Sequence, residues 1–140
     1  MKIKNLIFFL IVYLLSFLTY SKLMAYEESG YKVIDKTDIY EVRKYSDRIA
    51  VQAKLNNQDS SFRKLFNYIS GENLTSKKIE MTTPVTQTEK ENEFFMQFYL
   101  PSKFNKKTTP IPSNPDVEII IMDGGYYAVI QYSGRSSDKN

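Results

Sequence analysis

An antiparallel α+β fold is predicted for this chain on three observations. Apolar and polar residues alternate, or run apolar and β-branched, in six separate short stretches. Only one stretch has apolar residues spaced by three and four, and the connections between stretches carry the Gly, Asn, Asp and Pro of turns. One helix cannot cover both faces of a six-stranded sheet, so either the sheet curls to close its second face or something else covers it.

The first two strands are Ile39 to Tyr45, with Tyr40 and Val42 on one face, and Ile49 to Leu55, with Ile49, Val51, Ala53 and Leu55 alternating against Ala50, Gln52 and Lys54. Ser46, Asp47 and Arg48 form the turn between them. Asp59 or Ser60 then caps an amphipathic helix carrying Phe62, Leu65, Phe66 and Ile69, and Gly71 supplies the left-handed residue that ends it. From Glu80 the period returns to two, with Met81, Thr83 and Val85 on one face, and Pro84 belongs at an edge or a bulge. A charged turn, Glu89 to Asn92, leads into Phe94 to Leu100, giving a hairpin.

Four prolines between Pro101 and Asp116 predict a stiff surface loop. The last two strands, Val117 to Met122 and Tyr126 to Tyr132, are joined by Asp123, Gly124 and Gly125, a turn signal for a second hairpin.

The N-terminal segment is of a different kind. Lys2 and Lys4 precede an apolar run from Leu6 to Leu18, and a polar stretch then ends at Ala25. That order defines a secretory signal peptide, residues 1–25, and places the domain, 26–140, in the periplasm or outside the cell. The alternative is an uncleaved membrane anchor, although the apolar run is shorter than the roughly 20 residues a spanning helix needs. No Cys follows the run, which excludes a lipoprotein anchor.

Removing residues 1–25 takes away Lys2, Lys4 and Lys22 and no acid, leaving 16 basic against 16 acidic residues. The alkaline balance of the whole chain therefore belongs to the targeting segment, and no nucleic-acid partner is implied. The chain has no Cys and no His. Disulfides, the common zinc ligand sets, the Ser/His and Cys/His nucleophile pairs and the commonest haem axial ligand are thereby closed to it.

Five segments in order, YEVRKYSDRIAV at 40–51, FRKLFNYISGEN at 62–73, KIEMTTPV at 78–85, MQFYLPSKF at 96–104 and YAVIQYSG at 127–134, resemble the SOUL haem-binding protein family. The resemblance implies a distorted antiparallel β-barrel of two β/α halves, each with a flanking helix. The second half begins at Val117 and breaks off at Asn140, so its helix and closing strands have no counterpart here, and a marginally stable or self-associating domain is expected.

It also implies a non-enzymatic binder of haem or a related porphyrin, held by a hydrophobic groove beside the first helix with basic residues near the propionates. Carried onto this chain, the groove comprises Phe62, Leu65, Phe66, Ile69 and Met81, with Phe66 and Ile69 better explained as core. Met81 packs adaptably on a ring and is also a possible axial ligand. Tyr68 is either a phenolate ligand or an aromatic plug. Lys64 and Lys78, with Arg63 and Lys77, either pair with carboxylates or form a solvated charged face.

Two other functions remain open at this stage: a pocket for another lipophilic small molecule on the same fold, and a hydrolase using pocket Glu and Tyr. No Glu falls at a position marked as buried, and nothing activates Thr82 or Thr83 as a nucleophile. Asn73, Leu74 and Thr75 match the N-glycosylation pattern.

Overall fold

The computed structural model describes Tyr13 and residues 26–133. The expected signal peptide, Tyr13 apart, and residues 134–140 lie outside the described residues. The elements in order are β1 (Glu27–Glu28), β2 (Tyr31–Lys36), β3 (Glu41–Tyr45), β4 (Arg48–Lys54), α1 (Gln58–Ile69), β5 (Thr82–Thr83), β6 (Val85–Lys90), β7 (Glu93–Tyr99), β8 (Glu118–Met122) and β9 (Gly125–Val129). The architecture is α+β, mostly strand with α1 as the helix of the domain.

The strands form three open sheets, β1-β5, β2-β3-β9 and β6-β7-β4-β8, and no closed barrel is present among the described residues. The hairpin β6-β7 forms as expected, with Val85 opposite Phe98 and Lys90 opposite Glu93. Glu91 and Asn92, both at positive φ, make its turn. The strand expected from Glu80 instead divides at Pro84 into β5 and β6. β5 pairs in parallel with β1, a short departure from the antiparallel pattern.

The second expected hairpin does not form. β8 pairs with β4, and β9 with β3. Likewise β3 and β4 do not pair with each other across Ser46 and Asp47. One register nevertheless runs through both pairings: Glu41 stands opposite Val129 and Tyr45 opposite Gly125, then, past the bend, Arg48 opposite Met122 and Gln52 opposite Glu118. The two segments therefore form one long antiparallel ladder, broken at a corner where both chains pass from one sheet to the other. The Asp-Gly-Gly sequence makes a bend in that ladder rather than a reversal.

β2 escaped the sequence reading because all six of its residues are exposed, leaving no burial alternation to detect. It is held by pairing with β3, with an irregularity between Val33 and Asp35, and by contact of the Tyr31 and Tyr45 rings.

α1 starts two or three residues earlier than expected. Its cap is Asn57, not Asp59 or Ser60: the Asn57 side chain accepts from the Asp59 and Ser60 amides at 3.0 and 3.2 Å. Ser70 is the C-cap, and Gly71 follows at φ 119. The helix buries Ser61, Leu65, Tyr68 and Ile69 against β4 and β7. There they join Val51, Ala53, Met96, Phe98, Leu100 and Val117 in the core. The long Pro-rich loop is pinned to the end of the helix, where the Tyr68 hydroxyl donates to the Pro110 carbonyl at 2.8 Å and the Leu74 amide to the Ile111 carbonyl at 2.9 Å.

Candidate functional site

The helix sorts the expected site residues by angle. At about 100° per residue, Leu65, Tyr68 and Ile69 fall on one stripe, Phe62 and Phe66 on one flank of it, and Lys64 on the other. Leu65, Tyr68 and Ile69 are at most 5% exposed. They belong to the core and present no surface to a ligand.

Phe66 departs from its expected place in the core. It is 48% exposed and Phe62 is 40% exposed. The two rings stack one helical turn apart, with centroids at 6.0 Å and planes within 13°. Phe62 also meets the Phe98 ring edge-on at 5.2 Å.

The floor of this flank comes from the strand side. The Ile79 amide donates to the Ile69 carbonyl at 2.8 Å, while Val85 stands opposite Phe98, on which Phe62 packs. The segment 79–85 thus begins tied to the C-terminal end of α1 and ends in the strand paired with β7. Met81 lies half-buried in that segment, packed against the edge of the core. Val85, 38% exposed, and Phe94, 52% exposed, lie on the same sheet face. Neither was singled out from sequence, although the β6-β7 register carries Val85 into contact range of Phe98.

The expected basic residues separate. Lys64 lies on the far flank and pairs with Asp116 at 2.8 Å, so it does not serve the Phe62–Phe66 surface. It lines a polar cleft of about 440 Å³ with Gln52, Lys90 and Glu118. Lys77 stands 5.0 Å over the Phe104 ring. Arg63 and Lys78 are exposed and make no ion pair among the described residues.

Tyr68 is the plug rather than an available oxygen. Its hydroxyl is engaged with Pro110, and burial pushes its pKa up to about 12, which disfavours the phenolate that an iron would bind. Asn73 is no glycosylation acceptor. It is buried, its amide nitrogen donates to the Tyr68 and Lys77 carbonyls, and its oxygen accepts from the Lys77 amide and the Thr75 hydroxyl. Thr82 is buried and donates to the Tyr99 carbonyl at 2.6 Å.

A second concavity, of about 430 Å³, opens at the corner between the sheets. Its apolar wall is made by Ile49, Leu100, Phe104 and Ile121, and Glu27, Asp47 and Lys106 stand around it. None of the residues expected from sequence lines it. Among the described residues there is no cluster of His, Cys, Asp and Glu fit to hold a metal ion.

The stacked Phe62 and Phe66 rings form a half-exposed apolar surface on this flank. Met81 carries a thioether at the edge of the core. A family model described as SOUL heme-binding protein matches residues 26–140. No curated protein matches the chain at a significant level.

Proposed function

Because the chain belongs to the SOUL haem-binding family, we propose that it is a non-enzymatic, exported binder of haem or a related porphyrin, which it holds against the flank of α1. The observation that carries this reading is the exposed, stacked Phe62–Phe66 pair on the flank of α1. Two Phe rings left open to water on a helix whose other apolar residues are buried are an apolar patch in need of a partner. The macrocycle lies on these rings, and its carboxylates reach Arg63 and Lys78, which make no ion pair among the described residues.

Met81 would pack against the ring, and its thioether is the group of this segment that could donate to the iron. Affinity comes mainly from apolar area, at roughly 25 cal/mol per Å². Export rests on Lys2, Lys4 and the apolar run that follows, and fractionation of cells expressing the full chain tests it: a cleaved product outside the cytoplasm is expected, and a full-length membrane-bound product would support the anchor instead.

A hemin titration of the purified protein followed at the Soret band tests the binding reading. Saturation near one equivalent is expected, and a purely additive spectrum would reject it. The corner cavity favours a second reading, a smaller lipophilic ligand, because its volume lies in the range of small-molecule sites.

A further inference from the structure

Two arginines stack on tyrosine rings, Arg43 on β3 and Arg48 on β4, and they differ in their acceptors. Arg43 lies 4.1 Å over the Tyr31 ring, and Arg48 lies 4.3 Å from the Tyr45 centroid and 4.4 Å from that of Tyr99. Arg43 is completed by a carboxylate, since Glu41 accepts from its Nε at 2.9 Å and pairs with its Nη2 at 2.8 Å. Lys36 binds the other oxygen of Glu41, and the two cations hold that carboxyl below its usual range.

Arg48 has no such partner. Among the described residues it makes no side-chain hydrogen bond and no ion pair, and its Nε is buried without an acceptor. A partly buried guanidinium whose Nε is buried without an acceptor is costly, and cation–π contact with two rings offsets only part of that cost.

We propose that Arg48 anchors a second binding site, for a small carboxylate carried on a flat aromatic body. The Tyr45 and Tyr99 rings both lie against the guanidinium, which leaves its Nη edge for an incoming group, and a carboxylate meets that edge in plane with two parallel bonds. Next to it, Arg43 has its carboxylate supplied by the protein, with Nε and Nη2 both on the Glu41 Oε2. A phosphate is disfavoured because the nearest other guanidinium, Arg43, is already neutralised by Glu41.

The aromatic body finds its surface beside the anchor. The Tyr31 and Tyr127 rings lie 5.4 and 5.6 Å from the Tyr45 ring, and both are more than a third exposed. This site is built from other residues than the Phe62–Phe66 surface and does not depend on the haem reading.

Calorimetric titration of the purified protein with benzoate and with benzamide, its neutral counterpart of the same shape, tests the proposal. Benzoate should saturate one site, and benzamide should bind about tenfold more weakly or not at all. Arg48→Lys, which keeps the charge but not the planar fork, should weaken benzoate several-fold while leaving hemin binding unchanged. Phe62→Ala with Phe66→Ala should do the reverse. Equal affinities for benzoate and benzamide, no saturable benzoate binding, or tighter binding of inorganic phosphate than of benzoate would each overturn the assignment. The comparison of the two ligands on the wild-type protein needs no variant to fold.

Discussion

The Gly124 amide donates to the Asp47 carboxylate across 2.8 Å, tying together the two bends at which the long ladder passes from one sheet to the other. The approach is closer than a side chain permits. A Cβ on Gly124 would come within 2.7 to 2.9 Å of the Tyr45 carbonyl oxygen, the Ser46 carbonyl carbon and the Asp47 nitrogen, all backbone atoms. Gly124→Ala should therefore destabilise the domain by about 2 kcal/mol or more, because a backbone corner has to move. Gly30→Ala, whose Cβ meets nothing within 4 Å, should change stability by less than about 0.5 kcal/mol. Urea unfolding of the two variants checks the contrast, and Asp47→Ala should fall between them at about 1 to 2 kcal/mol.

Helix α1 separates stability from binding by position. Leu65→Ala empties a fully buried site and should cost about 2 to 5 kcal/mol. Phe62→Ala and Phe66→Ala remove half-exposed rings, so each should cost less than Leu65→Ala while weakening hemin binding more than any change to the buried stripe that still folds. Thermal melts and Soret titrations on the same three variants decide the matter.

Met81 and Met96 form a second such pair. Met96 is 2% exposed in the core, and Met81 lies at its edge. Met96→Ala should lower stability by about 2 to 5 kcal/mol. Met81→Ala should mainly weaken hemin, with a moved Soret maximum if its sulfur ligates iron and an unmoved one if it only packs. Equal hemin affinities in the two variants would remove Met81 from the site.

Tyr68 predicts an alkaline weakness. Its hydroxyl titrates at about 12 in the folded protein against 10.0 ordinarily, so the folded state holds the proton more tightly than the unfolded chain. Its contribution is intact below the unfolded value and declines as pH rises toward the folded one, by about 1.4 kcal/mol per pH unit. Tyr68→Phe should remove that part of the slope between pH 10 and 12, and at neutral pH it should cost about 1 kcal/mol through the unpaired Pro110 carbonyl. Denaturant melts of both proteins across this range measure the difference.

The β2-β3-β9 sheet predicts association. Among the described residues β9 pairs with β3 on one side only, and exposed Tyr126 and Ile130 lie in and just beyond it. An open edge beside apolar side chains is a template for strand pairing. Sedimentation should show concentration-dependent self-association, and Ile130→Lys should reduce it. A concentration-independent monomer would show that this edge is protected.

Local chemistry made much of this protein legible in its sequence. Alternation over Ile49 to Leu55 and Phe94 to Leu100, the three-and-four spacing of Phe62 to Ile69, and Gly71 at a left-handed position are each decided within a few residues, and each appears in the fold. The five segments that resemble the SOUL family were legible for the same reason. Partner choice was not, because it is non-local. Asp123, Gly124 and Gly125 read as a hairpin turn, yet β8 and β9 pair with β4 and β3, with Gly124 packed close on the Tyr45–Asp47 backbone where the ladder bends. The same holds for the candidate site. Periodicity places Phe62, Leu65, Phe66, Tyr68 and Ile69 on one broad apolar side of the helix. Only the packing of α1 on β4 and β7 decides that Leu65, Tyr68 and Ile69 go under it while Phe62 and Phe66 stay open to water. The Arg48 guanidinium, without an ion-pair partner among the described residues, became visible only when the fold brought the Tyr45 and Tyr99 rings against it.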